Sequence, residues 1–212
     1  MNQISKAINS DNPLEYLRQI ICPYSHKKLI KHINNCSDCK GACAKKSLPY
    51  GNPDANILII KGNATENLEA DSFFEELLDE SGIDKDDIYV INSLCCVFKR
   101  KDGVERLPSE KERNNCKYFI DYAIDFVKPR IIIAMGSTII NSYYPGFTLL
   151  KYDEKYGYIH NIKTVITDSV PELQRMSEYL PEEEMDKKIQ AVYDAFIYAK
   201  EYIEERDDSG EQ

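Results

Sequence analysis

The segment "YVINSLCCVFKRKDGVERLPSEKERNNC", Tyr89 to Cys116, places two adjacent cysteines, a basic loop and a third cysteine behind an apolar run. Upstream, "NNCSDCKGAC" supplies Cys36, Cys39 and Cys43. A CxxC turn sets two thiols side by side, and two more from distant loops can complete four thiolates around zinc or an iron–sulfur cluster. The spacing leaves both metals open. Cysteines that only fill a core would be out of place in a CxxC beside Gly, Lys and Asp, so a metal centre is expected, with Cys22 and Cys43 as spare thiols. Other residues that could do chemistry stand where apolar runs end: Gly62 and Asn63, Asn92, Gly136 and Ser137, and Asp168 and Ser169. Lys99, Arg100 and Lys101 form a basic patch, either a solvated loop or a clamp for phosphates with Phe98 beside it.

These residues need a frame. A chain of 212 residues with 42% hydrophobic content can bury one sizeable core. "ANILIIKG", "DIYVINSL", "RIIIAMGS" and "IKTVITDS" read as strands. "SFFEELLDESGI" reads as an amphipathic helix closed by Gly82, "CKYFIDYAIDFVKP" as a helix stopped at Pro129, and the stretch from Glu182 as a long C-terminal helix. Strands alternating with helices predict an α/β fold, a three-layer sandwich around a mostly parallel sheet. In such a sheet ligands gather at the carboxyl ends of the strands, which brings the residues named above to one cleft. Residues 1–35 are expected to form an N-terminal helical extension, 36–203 the domain, and 204–212 a disordered tail.

The net charge of −9 and a pI near 5.0 argue against coating nucleic acid through bulk positive charge, while leaving room for a local basic patch. No stretch reaches the roughly 18 to 20 apolar residues of a membrane helix, and the N-terminus lacks a signal-peptide core, so a soluble, cytoplasmic protein is expected.

"YGNPDANILIIKG", "FFEELLDESGIDKDDIYVINSLC" and "LPSEKERNNCKYFIDYAIDFVKPRIIIAMGST" resemble the family 4, iron–sulfur branch of the uracil-DNA glycosylases, from about Cys36 to about Arg175. The resemblance implies that fold and a structural [4Fe-4S] cluster on Cys36, Cys39, Cys96 and Cys116, with zinc as the alternative. It also implies DNA as partner, single-stranded or carrying a modified base, with Gly62, Asn92, Lys99, Arg100, Lys101, Gly136 and Ser137 at the base and backbone.

The catalytic motifs depart from the family. Its Gly-Glu-Ala-Pro-Gly segment is replaced by Gly62-Asn63-Ala64-Thr65-Glu66, and the aromatic residue that stacks on uracil is missing from "NLEADS". The asparagine that reads the base edge is retained as Asn92, whose bland role is to satisfy loop backbone. Ser169 stands where the family places the histidine that stabilises the departing base. Loss of one preorganised donor to a developing anion typically costs roughly 100- to 1000-fold in rate. Asn63 or Asp168 is the candidate to hold water, Asn63 having turn capping as its plainer role. These departures favour a catalytically impaired DNA- or protein-binding module of DNA repair or replication, with an active glycosylase as the alternative. The tyrosine-rich stretch from Tyr143 to His160, including Tyr152 and Tyr158, offers stacking, packing or a surface for a protein partner.

Overall fold

Successive side chains of a strand point to opposite faces, and the apolar runs of this chain use both. In the computed structural model, which describes residues 13–39, 42–66, 68–143 and 156–209, strand β3 (Ile57–Asn63) sends Leu58 and Ile60 into one core and Ile57 and Ile59 into the other. Strands β4 (Ile88–Leu94) and β6 (Ile131–Met135) divide their side chains in the same way. Burial on both faces explains why these strands read as continuous apolar runs.

With β8 (Ile162–Thr167) they form a parallel set ordered β4-β3-β6-β8. Short antiparallel strands close its two edges, β2 (Tyr50–Gly51) on β4 and β7 (Tyr156–Ile159) on β8. Apart from this sheet, β1 (Ala42–Lys46) pairs antiparallel with β5 (Cys96–Phe98). One face carries α1 (Pro13–Asn35), α3 (Glu110–Val127) and the short α4 (Ser137–Tyr143). The other carries α2 (Leu68–Ser81), α5 (Val170–Met176) and α6 (Glu182–Ser209). The result is the expected three-layer α/β sandwich.

Two boundaries differ from expectation. The N-terminal extension is part of the core: Cys22, Leu29 and Ile33 on α1 are buried, and the Cys22 thiol donates to the Phe126 carbonyl at 3.3 Å. Helix α6 runs to Ser209, six residues into the segment expected as a disordered tail. Beyond the buried Ile203, Arg206 donates to the Tyr202 hydroxyl and Asp207 meets Arg130, so polar and ionic contacts continue past residue 203. Among the described residues, no helix is long and apolar enough to cross a membrane.

Candidate functional site

Three loops meet at the carboxyl ends of β3, β6 and β8, and small residues permit it. Gly136 has φ +92°, and a Cβ there would stand 2.8 Å from Ser169 Oγ and 2.9 Å from Glu172 Oε2. A Cβ on Gly62 would lie 3.1 Å from the Ser169 side chain. Glycine is required at Gly136 both for its left-handed backbone and for this approach. Glu172 joins the loops chemically. Its Oε1 accepts the Ser137 N–H at 2.9 Å and the Ser137 hydroxyl, while Oε2 accepts the Ser169 N–H at 3.1 Å and hydroxyl at 2.9 Å. Ser137, placed by the sequence at a nucleic-acid contact, thus spends its amide and hydroxyl on an internal carboxylate. The Ser-x-x-Glu capping pattern from Ser169 to Glu172 was readable as a helix start; its reach across to Ser137 was not.

A cavity of about 330 Å³ opens beside this floor, lined by Ser47, Tyr50, Lys61, Asn63, Asn92 and Phe74 among others. Asn92 is held from both sides, accepting the Ser47 hydroxyl at 2.8 Å and donating to the Gly62 carbonyl at 3.3 Å. Asn63 Oδ1 is buried and has no hydrogen-bond partner among the described residues, an arrangement that costs free energy unless a bound donor completes it. Lys61 pairs with Asp71 at 3.0 Å and lies over the Phe74 ring at 4.3 Å. Tyr50 brings an aromatic ring to this cavity from β2, and burial, with Glu75 and Asp71 nearby, pushes its phenol above the ordinary range. Sequence reasoning passed over Ser47 and Tyr50 because a two-residue edge strand leaves no periodic signal.

Asp168 lines neither this cavity nor its neighbour. It is buried, its Oδ2 accepting Lys188 Nζ at 3.0 Å and its Oδ1 having no partner.

A second cavity, also about 330 Å³, shares Gly62, Asn63, Thr65, Ser169 and Pro171 with the first and extends to Arg100, Arg106 and Arg175. The basic patch is divided. Lys99 pairs with Glu66 at 2.7 Å, Lys101 is exposed in a turn, and Arg100 faces the cavity. Phe98 is buried beneath the Arg106 guanidinium, 5.0 Å from its ring centre, rather than displayed for stacking. Arg106 forms two hydrogen bonds to Glu112, which also accepts from Ser109. Together they hold the Glu112 carboxyl down at about 2 and fix the start of α3.

The cysteines gather behind the second cavity, which Cys96 helps to line. Cys36 and Cys39 follow α1, Cys96 begins β5 and Cys116 sits on α3, with Cys95 beside it. Two thiols of the expected ligand set have a side-chain donor. Lys46 Nζ donates to Cys96 Sγ at 3.1 Å and Asn115 Nδ2 to Cys39 Sγ at 3.6 Å. The Cys95 thiol donates to the Asn92 carbonyl at 3.9 Å. The neighbouring Cys95 pulls the Cys116 thiol below its ordinary range, and Cys116 together with burial drives Cys95 well above its own. Burial raises Cys39 and Cys96, opposed by Asn115 and Lys46 respectively. Burial opposes the charge on Lys46, yet Cys96, Cys36 and Cys116 outweigh it and raise Lys46. Among the described residues, no three His, Cys, Asp or Glu side chains converge closely enough to hold a metal ion. The Cys43 side chain and Tyr152 lie outside the described residues.

A mostly parallel sheet with Asn63 and Asn92 at one cavity, and a cysteine group behind the next, agrees with the class that the motifs suggest. A family model described as the uracil DNA glycosylase superfamily matches residues 48–192, well over half of the chain. The chain belongs to that superfamily. It is also similar to a Type-4 uracil-DNA glycosylase of Thermotoga maritima, 34% identical over 71 residues, which cover 34% of this chain and 35% of that protein. The chain thus matches about a third of this relative's length.

Proposed function

We propose that this chain binds DNA, single-stranded or carrying a modified base, with a nucleobase in the cavity at Asn63 and Asn92, and releases that base slowly or not at all. The cavity's size falls within the ~300–1,000 Å³ typical of small-ligand sites. The observation that carries the reading is Ser169. Where the resemblance places a histidine that stabilises the departing base, this side chain is 5% exposed, packed on Gly62 and Gly136, and bonded to Glu172. Nothing in that arrangement supplies charge to a leaving base anion, the usual dominant contribution to such a reaction.

One observation favours turnover instead. The unpartnered Asn63 Oδ1 could hold and orient a water for attack on the glycosidic carbon. A single-turnover assay separates the two readings, with anaerobically purified protein in excess over single-stranded and duplex oligonucleotides containing uracil or another modified base. Binding without base release is the expected result; release abolished by Asn92→Ala would establish a glycosylase.

The same reading gives Cys36, Cys39, Cys96 and Cys116 to a [4Fe-4S] cluster. The donor set suits thiolate ligands at two positions, where Lys46 donates to Cys96 and Asn115 to Cys39 and each can stabilise negative charge. When bound, the cluster would serve as a cross-link between the end of α1, β5 and α3. Absorbance near 400 nm with about four irons per chain is expected; one zinc per chain would refute the assignment. A protein partner in a repair or replication complex is part of the same proposal, supported by the exposed Tyr158, and copurification from native cells tests it.

A further inference from the structure

Of the three arginines that line the second cavity, two come from distant parts of the chain, Arg100 from the loop after β5 and Arg175 from α5. Both are exposed at its rim. Among the described residues, neither guanidinium has an ion-pair or hydrogen-bond partner, in contrast to their neighbours. Arg106 is committed to Glu112 and Lys99 to Glu66. The carboxylates lining the cavity are also engaged: Glu172 accepts from Ser137 and Ser169, while Glu105 accepts the Thr65 hydroxyl and the Glu66 N–H. Glu105 and Glu172 keep their negative charge, so the cavity carries both signs, and the hydrogen-bonding capacity left over is that of the Arg100 and Arg175 guanidiniums, in a protein whose net charge is −9.

We infer that Arg100 and Arg175 form a two-pronged site for a phosphodiester of a nucleic-acid strand. A guanidinium presents a planar fork that suits phosphate oxygens, which a solvated surface charge does not need. Position adds a second argument. The cavity shares Gly62, Asn63 and Ser169 with the base cavity, so a phosphate here lies next to a nucleoside whose base enters at Asn63. The inference rests on the DNA-binding reading and adds to it. Arg175, which the motifs did not single out, contacts the strand, and the Lys99–Lys101 run contributes through Arg100.

The test is the salt dependence of binding by the full chain to a fluorescent single-stranded oligonucleotide, for wild type, Arg100→Gln, Arg175→Gln and Lys128→Gln. Lys128 lies before β6, at the opposite end of the sheet, and serves as a charge-matched control. Each arginine variant should bind roughly tenfold more weakly at moderate salt. Each should also lower the slope of log K against log salt by about 0.7, the value for one phosphate of a single strand. Lys128→Gln should change neither quantity, and all variants should retain the wild-type thermal midpoint. A strand that binds wild type but keeps its slope in both arginine variants overturns the inference and leaves the DNA reading intact. Absence of binding by wild type overturns both. Competition by inorganic phosphate or a mononucleotide at concentrations matching the strand's affinity would assign the site to a free phosphate and overturn its assignment to a strand.

Discussion

Replacing Glu172 by Gln exchanges one heavy atom and removes one charge, yet it acts on two loops. The carboxylate receives two backbone N–H groups, from Ser137 and Ser169, and two hydroxyls. The hydroxyls can reverse and accept from an amide; the backbone donors cannot. In either orientation, Gln offers its oxygen to one N–H and turns its NH₂ toward the other. An unsatisfied buried N–H costs about 1–3 kcal/mol, and a neutral acceptor in place of a charged one loses about 1 kcal/mol more, giving about 2–4 kcal/mol. For a protein of this size, 3 kcal/mol corresponds to roughly 6–12 °C in Tm. Urea unfolding measures the total, and hydrogen exchange at the Ser137 and Ser169 amides locates it. Oligonucleotide binding should fall in parallel, because both cavities use Ser169. A change under about 0.5 kcal/mol with unaltered exchange at both amides would refute the claim that Glu172 holds the loops together.

Three further outcomes follow from particular geometry. Gly136→Ala places a Cβ 2.8 Å from Ser169 Oγ at φ +92°, whereas Gly103→Ala at φ +85° meets nothing within 4 Å; thermal melts should show losses above about 3 kcal/mol and near 1 kcal/mol respectively. Asn63→Ala removes a buried oxygen that bonds to nothing, so stability should hold or rise while binding of the strand weakens; a loss of stability would mark Asn63 as a structural cap. Glu112 has a folded pKa of about 2 against an ordinary 4.5. Its stabilisation is therefore complete above about 4.5 and is lost as pH falls toward 2. The difference in urea stability between wild type and Glu112→Gln, at most about 3 kcal/mol at pH 7, should shrink by pH 3.

The four parallel strands and helices α2, α3 and α6 were legible because each is long enough to show a period or an uninterrupted apolar run. Strands β1, β2, β5 and β7 were not, since two to five residues at a sheet edge carry little pattern. Meeting points at the cleft were predictable from topology, because loops after parallel strands share one end of the sheet. Side-chain commitments were not. Lys99 reads as a free cation until Glu66, thirty-three residues earlier in the chain, is placed against it. Phe98 reads as a stacking ring until Arg106 folds back over it. Asp168 reads as a cleft carboxylate until α6 brings Lys188 to it.

The same long-range pairing gives the cysteine group a route to the base cavity. Lys46 is the last residue of β1, opposite Cys96 in the β1–β5 register, and its ammonium lies on the Cys96 sulfur. The next residue, Ser47, donates its N–H to the Cys95 carbonyl at 2.9 Å and its hydroxyl to Asn92. Three residues further on, Tyr50 enters the cavity wall. A single short segment therefore contacts the thiols at one end and the base-facing asparagine at the other. Loss of the Cys96 thiol should loosen Ser47 before it unfolds the sheet, because among the described residues β1 pairs with β5 alone, whereas Asn92 itself belongs to the six-stranded sheet. On this argument Cys96→Ala should weaken binding of the base more than it lowers the urea midpoint, and Ser47→Ala should reproduce the binding loss with the cysteines intact. Equal losses in binding and stability for Cys96→Ala, with no effect of Ser47→Ala, would mean that the cysteines support the fold alone.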